Sequence, residues 1–174
     1  MGLALQKAEE AFLNDEFPVG CVVIQDNRVI ADSSRQGTSG NRNRFSEIDH
    51  AEITCLKSIE KADAEKDLSE SVLFCTMEPC LMCLGAIILS GIKKIVYAYE
   101  DPMGGGTSCD LKQLPILYKN SDIEIISGVM REQSLSLFYK FFKKDTNNYW
   151  KNSLLETYTI KQGDLLSKKS IKIS

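Results

Sequence analysis

Four short apolar runs, each the length of one strand and set apart by helix-length stretches, constrain this fold most. Residues 19–24 form a continuous run rich in β-branched side chains, as in a strand buried on both faces. Asp26-Asn27 supplies a tight turn, and residues 28–32 return as an antiparallel partner. Further strands are predicted at 72–75, 95–99 and 123–127. The segments between them read as helices. Residues 3–14 place Leu5, Ala8 and Phe12 on one face. A helix starting at His50 turns Ile53 and Leu56 inward. One opened by Pro79 runs to Leu89 and is apolar nearly all round, hence expected to be buried. A short helix falls near 110–119, and another over 131–144 turns Leu135, Phe138 and Phe142 inward. A helix-length crossover between the last two strands makes them parallel. The expected fold is therefore α/β: a three-layer α/β/α sandwich around a mixed five-stranded sheet, its first hairpin antiparallel and its last strands parallel. Ligands in such sheets gather beyond the carboxyl ends of the strands, where the helices at His50 and Pro79 begin.

The chain has 174 residues, enough for one globular domain with a core. Residues 1–144 are expected to form that domain. Residues 145–174 are expected to be an extension on it or on a neighbouring subunit. Within it, Tyr149 and Trp150 either cover a pocket or a neighbour, or pack on the last helix, which is the favoured reading. A net charge of −3 argues against a strongly basic nucleic-acid binder. No apolar run is long enough to span a bilayer, and the first residues lack a secretion signal. The expectation is a cytoplasmic protein without a membrane partner, whose six cysteines are free thiols or metal ligands.

There is one histidine, which excludes zinc sites of the two-Cys, two-His kind. His50-Ala51-Glu52 and Pro79-Cys80-Leu81-Met82-Cys83 are the two segments with chemical potential. Proline suits a first helical position, which would put Cys80 and Cys83 on one face of the first turn. There a helix N-terminus favours the thiolate, the form that binds zinc. Two core cysteines, or a redox dithiol, fit the same spacing. His50 and Glu52 can both reach a point beyond their helix end. Asp49-x-x-Glu52 also reads as a capping-box variant, a purely structural device. Taken together the segments favour chemistry. One histidine and two cysteines leave a fourth zinc position open, and Glu52 stands ready to move a proton.

H-x-E followed by P-C-x-x-C resembles the signature of the zinc-dependent nucleobase deaminases. Within the cytidine/deoxycytidylate deaminase superfamily, the chain most resembles the bacterial tRNA adenosine deaminases and the nucleoside and guanine deaminases. Pro18-Val19-Gly20, His50-Ala51-Glu52-Ile53 and Thr76-Met77-Glu78-Pro79-Cys80-Leu81-Met82-Cys83 carry the likeness, across residues 3–143. It implies a cytidine-deaminase-like fold, one zinc per chain on His50, Cys80 and Cys83, and Glu52 as proton shuttle. An activated water would attack the ring carbon bearing the amino group. Glu52 would then protonate the adjacent ring nitrogen and the leaving ammonia. Val19, Ala51, Asn43 and Asp101 are the candidate substrate contacts, and a homodimer is implied. One departure stands out. The tRNA enzymes hold the base with an asparagine soon after the second strand, and here Arg35 stands near that place. Asn43 is either its replacement or a turn residue, and Asp101 either a substrate contact or an Asp-Pro turn.

Three functions follow. The first is hydrolytic removal of an exocyclic amino group, as ammonia, from a nucleobase, nucleoside or related heterocycle. The second is deamination of adenosine 34 in tRNA, for which Lys140, Lys143 and Lys144 would offer phosphate contacts. The third is an inactive zinc-binding interaction protein. The low charge and the altered loop favour the first.

Overall fold

The computed structural model describes residues 1–39 and 45–171. The chain runs α1 (Gly2–Leu13), β1 (Gly20–Gln25), β2 (Arg28–Ser34), α2 (Ala51–Ala62), β3 (Val72–Met77), α3 (Leu81–Leu89) and β4 (Lys94–Tyr99). A 3₁₀ turn at Leu111–Gln113 then leads to α4 (Ile116–Lys119), β5 (Glu124–Ile126), α5 (Arg131–Phe142) and α6 (Leu154–Ile171). The sheet order is β2-β1-β3-β4-β5. β1 pairs antiparallel with both β2 and β3, while β3–β4 and β4–β5 are parallel. β1 is thus the one strand running against the others. The carboxyl ends of β2, β3, β4 and β5 share one edge of the sheet, together with the amino end of β1. α1 and α5 cover one face and α2 the other, with α3 beside α2.

The mixed five-stranded architecture matches the sequence expectation. The helix faces differ in detail. α1 buries Ala4, Ala8 and Ala11, while Leu5 and Phe12 are only half-buried. Close approach explains the choice of small residues. A Cβ on Gly20 would lie 2.1 Å from the Ala4 carbonyl oxygen and 2.5 Å from the Ala8 nitrogen. The helix backbone therefore rests directly on β1, leaving no room for larger side chains. In α2 the inward face is Ala51, Glu52, Cys55, Leu56 and Ile59, with Ile53 half-buried. α3 buries only Cys83, Leu84 and Ile87. Leu81, Met82 and Leu89 are exposed, so the expectation of a fully buried helix fails on one side.

Residues 145–171 contain a helix that the sequence reading left uninterpreted. Ser153-x-x-Glu156 starts it. The Glu156 N–H donates to the Ser153 hydroxyl at 3.1 Å, half of a capping box. α6 packs on α5 and inserts Leu155 into the core. The hydroxyls of Tyr99 and Thr159 meet at 2.9 Å, and that of Tyr158 donates to Glu100 at 2.7 Å. Phe17 sits against Phe138, Phe141 and Phe142, and Tyr149 joins the cluster with its ring centroid 5.3 Å from that of Phe17.

Glu16 is buried and pins the segment after β2. It accepts hydrogen bonds from the backbone N–H and the hydroxyl of both Thr38 and Ser39, at 2.6–2.9 Å. Burial opposes its charge, but these donors outweigh that cost and hold its pKa below the usual carboxylate value.

Two predictions follow from this packing. Gly20→Ala should lower stability in chemical denaturation by about 1–3 kcal/mol, because the atoms it meets are backbone and cannot turn aside. Glu16 contributes stability that is present above its unfolded pKa of about 4.3 and is lost as pH falls through its lower folded value. Glu16→Gln should therefore unfold more easily at neutral pH and show a flatter loss of melting temperature on acidification than the wild type.

Candidate active site

The shared strand edge assembles the site. The β2–α2 connection delivers His50, β3 leads into Cys80, β4 leads into Asp101, and Val19 precedes β1. His50 and Cys80 are the N-cap residues of α2 and α3, both with extended backbone. Proline therefore stands one residue before the cap, and Cys80 and Cys83 occupy the cap and third helical positions. The expected Asp49 cap is not formed. Asp49 lies one residue too early, its N–H donating to the Ser46 hydroxyl at 3.1 Å. The unpaired N–H groups of both first turns face the site and favour negative charge there.

The Cys80 and Cys83 sulfurs lie 3.6 and 3.4 Å from His50 Nδ1. These match the edges of a tetrahedron with Zn–S of about 2.3 Å and Zn–N of about 2.0 Å, roughly 3.5 Å apart. Among the described residues, His50, Cys80 and Cys83 are the one such group of potential ligands, all within 4.8 Å of one another. Cys80 is held as a thiolate, its pKa pulled down to about 4 chiefly by a hydrogen bond from Cys83, with His50 adding to it. Cys83 is correspondingly pushed up by that bond and by burial. Without a cation the two thiols thus hold one proton between them, and a dication would displace it.

Burial pushes Glu52 above the usual carboxylate range, against the pull of His50. It is buried, and its Oε2 meets no hydrogen-bond partner. A capping role would have satisfied that oxygen. An orphaned carboxylate oxygen beside a set of metal-ligating atoms instead fits a group that waits for water or substrate.

A cavity of about 310 Å³ opens in front of Glu52. Val19, Ala51 and Asp101 line it, as expected from the sequence. Asp101 also caps its own turn, accepting from the Met103 N–H at 2.9 Å, so both readings of that residue hold. Asn43 lies outside the described residues. The sequence reading missed Met77, Glu47 and Leu155 as lining residues and did not favour Tyr149 and Trp150 in that role. The Tyr149 hydroxyl donates to Glu47 at 2.9 Å, tying the extension to the loop before α2. The remaining cysteines carry no such chemistry: Cys21, Cys55 and Cys75 are buried and Cys109 is exposed.

Fold and site together define a hydrolytic deaminase acting on amino-bearing nucleobases or nucleosides. Comparison with known proteins agrees. The model of the MafB19-like deaminases matches residues 1–134, and the chain belongs to that family. It is 32% identical to a tRNA-specific adenosine deaminase of Agrobacterium fabrum over 146 residues, covering 83% of this chain and 92% of that protein. A tRNA-specific adenosine deaminase of Rickettsia bellii is 35% identical over 147 residues, covering 81% and 96%. Among solved structures, a tRNA:A34 deaminase from a study of A-to-I editing superposes with a TM-score of 0.64 at 30% identity, covering 79% of this chain and 96% of that one. The guanine deaminase of Nitrosomonas europaea has the same fold, with a TM-score of 0.64 at 21% identity over 80% and 81%.

Metal content tests the site. Purified protein should carry about one zinc per chain. His50→Ala should lose it, while Glu52→Gln should keep it with ammonia release down by two or more orders of magnitude. Metal-free protein that stays active would contradict the assignment.

Proposed function

We propose that this chain is a zinc-dependent deaminase that hydrolyses the exocyclic amino group of a free nucleobase, nucleoside or related small heterocycle. The observation that carries this reading is Glu52, buried with one orphaned oxygen beside His50, Cys80 and Cys83 at the wall of an enclosed cavity. Zinc on those three ligands would supply a Lewis acid that brings the pKa of water towards about 7. Glu52 takes the proton from the attacking water and returns it, first to the ring nitrogen beside the amino-bearing carbon, then to the departing ammonia. Its raised pKa suits both duties, because the group must exchange a proton near neutrality. Val19 and Ala51 offer apolar surface to the ring.

Enclosure supports a small substrate. Residues 1–144 supply the catalytic elements, and the extension 145–174 contributes Tyr149, Trp150 and Leu155 to the cavity wall. Adenosine 34 of tRNA is the second reading, supported by the names of the relatives and by their identity across four-fifths of the chain. A homodimer fits the exposed apolar side chains of α3 and α4, where Leu81, Leu89, Ile116 and Leu117 would otherwise face water. The six unpaired cysteines suit a reducing cytoplasm.

An ammonia-release screen across free bases, nucleosides and a tRNA anticodon stem-loop tests the reading. The expected result is turnover of one or more small heterocycles by wild-type protein and none by Glu52→Gln. Turnover of the stem-loop alone would favour the tRNA reading instead.

A further inference from the structure

Arg35 is buried in the cavity wall with its side chain 2% exposed. Its backbone continues the hairpin, donating its N–H to the Val19 carbonyl at 2.8 Å. One arm of the guanidinium is occupied: Nη2 donates to the Ser46 carbonyl at 2.7 Å and lies 3.6 Å from the Glu47 carboxylate. The Tyr149 hydroxyl stands beside the same group. Nη1 is buried and has no hydrogen-bond partner. A buried cationic donor left unpaired is costly, so an acceptor is wanted where Nη1 points. Arginine offers five donors and no acceptor, whereas an asparagine amide can do both. Its partner must therefore be acceptor-only.

The cavity also limits the charge of that partner. Among the described lining residues, Arg35 is the one permanent cation, set among the carboxylates Glu47, Glu52, Glu78 and Asp101. A phosphate or carboxylate would be repelled by that acidic ring. A neutral oxygen would not. On a nucleobase, that oxygen is a ring carbonyl.

Building on the deaminase reading above, we propose that Arg35 is a specificity-determining residue whose Nη1 donates to a ring carbonyl oxygen. The enzyme then prefers amino-oxo heterocycles, and adenine, which carries no oxygen, binds with Nη1 still unpaired. The loss expected for such a substrate is about ten- to a hundred-fold, the worth of a hydrogen bond to a charged group.

Matched substrates test this. Isoguanine differs from adenine by its 2-oxo group, and cytosine differs likewise from 4-aminopyrimidine. Ammonia release by the zinc-loaded full chain gives kcat/KM for each. The wild type should favour the oxo member of each pair about ten-fold or more. Arg35→Gln should erase that ratio through KM, leaving the member without oxygen unchanged, and Arg35→Lys should restore part of it. Equal turnover within both pairs by the wild type would overturn the role of Arg35 while leaving the deaminase reading intact. So would a uniform loss across all four compounds in Arg35→Gln with normal zinc content. Ammonia from no compound would overturn the deaminase reading, and this inference with it.

Discussion

β1 runs against its four neighbours, and the rest of the molecule depends on that reversal. An antiparallel strand between β2 and β3 leaves those two pointing the same way. Their carboxyl ends therefore lie on one edge, two strands apart, and each feeds the N-terminus of a helix. His50 and Cys80 sit at those two helix starts with extended backbone, so both side chains lean past the helix ends to a common point. Cys83 joins from the first turn of α3. The site holds three potential ligands that are 30–33 residues apart in sequence but within 4.8 Å in space. The unpaired N–H groups of the two first turns lower the cost of gathering two sulfurs and a carboxylate in one buried place.

Close contact around β1 keeps this arrangement rigid. Gly20 lets the backbone of α1 rest on the strand, which fixes Val19 and the start of the hairpin. Glu16, four residues earlier, grips Thr38 and Ser39 beyond the other arm. Arg35 lies between these anchors, with its backbone tied to Val19 and its side chain to Ser46. Both walls of the cavity near Arg35 are thus set by buried hydrogen bonds on short segments. The extension closes the remaining side, because Leu155 is buried in the core and Tyr149 is fixed by Phe17 and Glu47.

Much of this was legible in the sequence. The apolar runs and helix-length spacers marked all five strands, and the two motifs marked the ligating residues. Helix faces were less legible. Leu5 and Phe12 outweigh Ala4, Ala8 and Ala11 in any hydrophobic pattern, yet the close approach to Gly20 puts the alanines inward. Helix starts were misplaced by one residue at both Asp49 and Pro79, because a metal-ligating side chain at a cap position does not look like a capping residue. α6 carried a readable signal in Ser153-x-x-Glu156. Its long-range partners, Tyr99 and Glu100, could not be inferred from local pattern. The same holds for the orphaned nitrogen of Arg35, which exists only once Ser46 and Glu47 have taken the other arm.

Zinc K-edge absorption on the purified protein tests the central claim most directly. The arrangement predicts a four-coordinate zinc with two sulfurs at about 2.3 Å and one histidine nitrogen at about 2.0 Å, the remaining position being oxygen. A zinc environment of nitrogen and oxygen alone, with no sulfur shell, would contradict it.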